Sequence, residues 1–137
     1  MVAGWQDVVA IVRESFEVVI DGEGWIGLLH RPETGSPVKV KVSTLTALAR
    51  SFIAITADVF SVADLTMELA LALNHALPIG ALEIEDERYL LRATLPIAGL
   101  DAVDLRRIIL HIGRQAAHMQ QRSAGKGGLT PFLHWAE

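Results

Sequence analysis

The chain has 137 residues, of which 51% are hydrophobic and none is cysteine, with a formal net charge of -4. That length suits one domain with its own core. The acidic balance argues against a nucleic-acid partner, and the missing cysteines exclude disulfides, thiolate catalysis and cysteine-ligated zinc. So high an apolar share in so small a domain implies a sticky face, most simply a dimer interface or a peptide-binding groove.

Trp5, Val8, Val9, Val12, Phe16 and Val19 recur at helical spacing and predict a first helix of about four turns, ended by Asp21-Gly22-Glu23-Gly24. The charges Asp7, Arg13, Glu14 and Glu17 and the lack of a basic start do not fit a signal peptide, so a cytoplasmic protein is expected. Trp25 to His30 reads as a first strand, and the turn-rich run Arg31 to Pro37 leads into a second. There Val38, Val40 and Val42 alternate with Lys39, Lys41 and Ser43, the period of a strand with one wet face. Thr44 to Arg50 is compatible with an extension of that strand or with a short helical turn. The β-branched and aromatic run Ser51 to Val59 predicts a third strand.

Ser61 or Asp64 is positioned to cap a second helix, in which Leu65, Leu69, Ala72, Leu73 and Ala76 form a stripe. Met67, Ala70 and Leu71 spread apolar character around that helix, which therefore needs cover on more than one side. Val62 to Leu82 is the most apolar stretch, yet Asp64, Glu68, Asn74, His75 and Pro78 interrupt it, so no membrane partner is expected. Ile79 to Ile84 and Arg88 to Leu95 flank the acidic turn Glu85-Asp86-Glu87 and predict a hairpin. Pro96 and Gly99 follow, and Asp101 stands where the N-cap of a last helix belongs, with Asp104 in its first turn. That helix runs over roughly Ala102 to Arg122 with Leu105, Ile108, Ile109, Ile112, Ala116 and Met119 as its buried stripe. Residues 1 to 124 are read as one domain, followed by a Gly-rich linker and an apolar tail over 125 to 137.

The expected fold class is α+β, an antiparallel five-stranded sheet with three helices in the order α-β-β-β-α-β-β-α. Ala81 to Met119, ALEIEDERYLLRATLPIAGLDAVDLRRIILHIGRQAAHM, joins a hairpin to a long amphipathic helix through a Leu-Pro-x-x-Gly-Leu-Asp connection. With the element order over residues 5 to 122, this resembles the type III secretion chaperones and YbjN-like small α+β domains. The chain is only mildly acidic and carries the 130 to 137 tail, which favours the YbjN-like branch. The resemblance implies a homodimer that holds an extended client polypeptide along apolar patches of sheet and helices, with no catalytic residue and no cofactor.

No constellation for chemistry stands against this. His30, His75, His111, His118 and His134 lack metal-ligand spacing, and His111 and His118 share a face with Arg107, Arg114 and Arg122. Glu83, Glu85, Asp86 and Glu87 lack a calcium-loop pattern. Gly22, Gly24 and Gly27 follow a helix and open a strand, the reverse of a dinucleotide loop. The candidate peptide or dimer contacts are Phe52, Ile53, Ile55, Val59, Phe60, Leu65, Leu69 and Leu73, together with Phe132 and Trp135 of the tail. The function expected is a non-catalytic chaperone or adaptor for a client polypeptide; a small-ligand or regulatory module of the same fold is the alternative.

Overall fold

The structure is a computed structural model, and residues 1–124 are described. Helix α1 (Trp5–Ser15) leads into strands β1 (Glu17–Gly22), β2 (Trp25–His30), β3 (Val38–Ala47) and β4 (Arg50–Ser61). Helix α2 (Met67–Ala76), strands β5 (Ala81–Glu85) and β6 (Arg88–Pro96), and helix α3 (Ala102–Ala124) complete the order. The strands form one six-stranded sheet, β1-β2-β3-β4-β6-β5, in which every pairing is antiparallel.

The expected count of five strands is therefore wrong by one. The missed strand is β1, which the helical spacing of Phe16 and Val19 had absorbed into the first helix. The helix ends at Ser15 instead, and Phe16 caps it in extended conformation. Glu17 to Ile20 holds three consecutive β-branched residues, which lose rotamer freedom in a helix and pack well on a pleated surface. The segment then turns through Glu23-Gly24, with Gly24 at φ 76°, to pair with β2 from Gly22↔Trp25 to Glu17↔Leu29. A β-bulge at Val19 interrupts the register.

The ambiguous stretch after Ser43 extends the strand: β3 runs to Ala47 and returns as β4 through Leu48 and Ala49, at φ 52° and 57°. A two-residue hairpin turn of this hand matches the twist of the strands, and neither residue is one that favours it, so the sequence gives no turn signal there. Asp86 and Glu87 make the matching turn between β5 and β6.

One face of the sheet carries the core. Val38, Val40 and Val42 of β3, Ile53, Ile55 and Ala57 of β4, and Leu91 and Ala93 of β6 are buried beneath Leu105, Ile109, Ile112, Ala116 and Met119 of α3. Val8 and Val12 of α1 complete that layer. The Asp101 carboxylate accepts the Val103 N–H at 2.8 Å, as an N-cap should, while α2 begins later than expected, with Thr66 accepting the Leu69 N–H at 3.2 Å. Among the described residues no helix is long and apolar enough to cross a membrane.

Candidate functional site

The two edges of the sheet are finished differently. At the β5 edge, Asn74 of α2 behaves like one residue of a further strand. Its Nδ2 donates to the Leu82 carbonyl at 3.2 Å and its Oδ1 accepts the Leu82 N–H at 2.5 Å. The helix thereby closes the edge that would otherwise invite pairing.

At the β1 edge no such cover is found among the described residues. All of β1 except Val18 is exposed, and its two large apolar side chains there, Val19 and Ile20, are 51% and 54% exposed. Ion pairs fix its two ends. Arg31 grips Glu17 with both Nε (2.7 Å) and Nη2 (2.9 Å), and Arg13 of α1 donates to Asp21 at 2.6 Å. The fork from Arg31 holds the Glu17 carboxyl below the usual carboxylate range and raises the guanidinium in turn. A strand paired to β2 on one side, held at both ends and bulged in the middle is pre-organised, with no strand partner on its outer side among the described residues.

Next to this edge lies the face of the sheet opposite the helices. The register sets Ile20, Gly27, Lys41, Thr56, Arg92 and Ala81 side by side across all six strands on this face. The glycines that looked like a loop motif serve packing here. A methyl group on Gly27 would meet Ile20 Cγ2 at 2.6 Å, and one on Gly22 would fall inside the Trp25 indole. The Trp25 indole thus packs against Gly22 of β1, with the Lys41 ammonium 5.2 Å from its ring centroid. Arg92 pairs with Glu83 at 3.2 Å and Arg88 with Asp58 at 3.6 Å, whereas Lys39 and Lys41 have no carboxylate partner among the described residues. Lys39, Lys41, Asp58 and Arg88, with Val19, Ile20, Trp25, Thr56, Glu85 and Leu90, bound a depression of about 620 Å³ that is open to solvent.

A second hollow, about 660 Å³, lies between the start of β1, the end of β2 and α3, lined by His30, Arg31, Glu33, Arg114 and His118 among others. Burial, then Arg114, lowers the His30 and His111 pKa values, and burial, then Arg122, lowers that of His118. These imidazoles are therefore neutral at neutral pH. Among the described residues no three His, Asp or Glu side chains converge as a metal would need.

The contacts expected from sequence sit mostly inside the molecule. Ile53 and Ile55 face α3, and Val59, Phe60, Leu65 and Leu73 are also core residues, each 4% exposed or less. Their strong apolar character, which nominated them for a surface, is what drives them inward. Phe52 and Leu69 are half-buried, and Phe132 and Trp135 lie outside the described residues. Sequence reasoning missed Val19, Ile20 and Trp25 as neighbours on one surface, though the run Val18-Val19-Ile20 before Asp21-Gly22 was a strand-and-turn signal that could have found them.

No family model matches the chain, and no curated protein matches it significantly. Among solved structures it is similar to a chain from the structure of the HopA1-SchA chaperone-effector complex. The TM-score is 0.58 at 17% identity, covering 82% of this chain and 88% of that one. At that identity the likeness concerns the fold alone, and within this shared fold the exposed edge of β1 and the sheet face opposite the helices are features of this chain's own residues.

Proposed function

We propose that this protein is a non-catalytic binder of extended polypeptide, a chaperone or adaptor that takes a client segment as an added strand along β1. The observation that carries the reading is the contrast between the edges: Asn74 closes β5, while among the described residues nothing covers β1 beside exposed Val19 and Ile20. An added strand gains main-chain hydrogen bonds, and every second side chain of it can reach the bare face. There Ile20 and Trp25 favour an apolar residue, and Lys39 and Lys41 an acidic one. The likeness to a chain of a chaperone-effector complex supports this reading of the fold.

The finer parts of the reading go with it. A homodimer would use the α2 surface, where Met67 and Leu71, one turn apart, are 68% and 69% exposed. A YbjN-like relationship and a cytoplasmic setting belong to the same proposal. The small-ligand alternative gains nothing from the structure, because sites for small molecules enclose most of their ligand and both hollows open to solvent.

The test is a set of ten-residue peptides with apolar residues at alternate positions, each made with and without N-methyl groups on alternate amides. Strand addition requires that one methylation phase abolish binding and the other leave it. Equal binding of both phases would refute it, as would equal binding by a Val19→Asp, Ile20→Asp double variant.

A further inference from the structure

We infer that the bare face of the sheet is a docking surface for this chain's own residues 129–137, bound in cis. The inference does not rest on a client at β1, although a client strand reaching this face would compete with the tail for Ile20, Trp25, Lys39 and Lys41. Its first support is where the described chain ends. The last turns of α3 are tied down at one end of the sheet, where Gln120 Nε2 donates to the Asp58 carbonyl at 2.5 Å and Gln121 Nε2 to the Thr34 carbonyl at 2.5 Å. Asp58 itself lines the depression on the opposite face. The described part of helix α3 therefore ends at the rim of the hollow, which none of the described residues covers.

The second support is reach. Residues 125–131 can span roughly 23 Å when extended, while packed layers lie about 10 Å apart. The chain can round the end of the sheet before residue 132.

The third is complementarity. The segment Leu129-Thr130-Pro131-Phe132-Leu133-His134-Trp135-Ala136-Glu137 offers four large apolar side chains and one carboxylate. The face offers Val19, Ile20, Trp25 and Leu90 beside Lys39 and Lys41, the two lysines without a carboxylate partner among the described residues. Phe132 and Trp135 would cover the apolar part, and Glu137 would meet the lysines.

The chain has no cysteine, so cross-linking gives a clean test. Thr56→Cys, in the middle of the face, is combined with Ala136→Cys. The control combines Ala136→Cys with Arg114→Cys, exposed on α3 within about 15 Å of its end. Under mild oxidation in dilute solution the first pair should close within one chain at least about tenfold faster than the control, because docking raises its effective concentration. Equal rates, faster closure of the control, or disulfides joining two chains would each overturn the inference. A second readout needs no new cysteine. Deleting residues 129–137 should shift the backbone amide resonances of Lys41 and Thr56, and unchanged resonances would also overturn it.

Discussion

Replacing Asn74 tests whether the β5 edge is closed in the way described. Asn74→Ala removes both bonds to Leu82, a residue only 7% exposed. Leaving a buried backbone donor and acceptor without partners costs about 1–3 kcal/mol. Two effects reduce this: water can approach an edge strand from outside, and alanine is the better helix former by about 0.5 kcal/mol. The expected net loss is about 1–2 kcal/mol, or roughly 4 °C in Tm per kcal/mol for a domain of this size. Asn74→Asp retains an acceptor for the Leu82 N–H but sets a carboxylate oxygen against the Leu82 carbonyl, so at neutral pH it should be at least as damaging as alanine and recover in acid. Urea unfolding gives the free energies, and hydrogen exchange at Leu82 and its β5 neighbours shows whether the loss is local. A change below about 0.5 kcal/mol for Asn74→Ala, with β5 exchange unaltered, would refute the reasoning, since surface substitutions away from special features fall within that scale.

Other outcomes follow from single features. Glu17 has its folded-state pKa lowered by Arg31, so the contribution of the pair is complete above the ordinary carboxylate range and is lost as pH falls through the lowered value. Amide exchange in β1, corrected for intrinsic rate, should therefore rise in acid, and Arg31→Ala should raise it at neutral pH and flatten that dependence; a β1 indifferent to both would contradict the clamp. Gly80 has φ 82°, and a methyl group there would lie 2.9 Å from the Arg92 carbonyl oxygen, so Gly80→Ala should cost more than about 1 kcal/mol by urea unfolding, with a neutral effect contradicting that geometry. Leu71→Glu should convert a dimer to monomer by light scattering while leaving the far-ultraviolet circular dichroism unchanged, and an unaltered mass for a dimeric parent would exclude α2 from the interface.

Much of the architecture was legible because periodicity reports burial. Val38, Val40 and Val42, the α3 stripe and the Asp101 cap all follow from patterns that local physics enforces. What was illegible had two causes. Phe16 and Val19 satisfy a helical spacing by coincidence, so the wrong period hid a whole strand; Leu48-Ala49 makes a left-handed turn that its residues do not advertise. The site suffered from a third cause. Apolar strength in sequence marks the core, and Ile53, Ile55 and Phe60 are there. The exposed edge emerges only from topology, because it depends on which strand comes last in the sheet and on the distant Asn74 closing the other side.

The most direct measurement is a backbone amide map of the full chain titrated with an alternating apolar peptide that binds. The account predicts large shifts and slowed exchange along Glu17–Gly22, with Ala81–Glu85 unaffected. Perturbation centred on β5 or α2 with β1 silent, or no binding by any such peptide, would contradict the claim that β1 is the polypeptide-accepting edge.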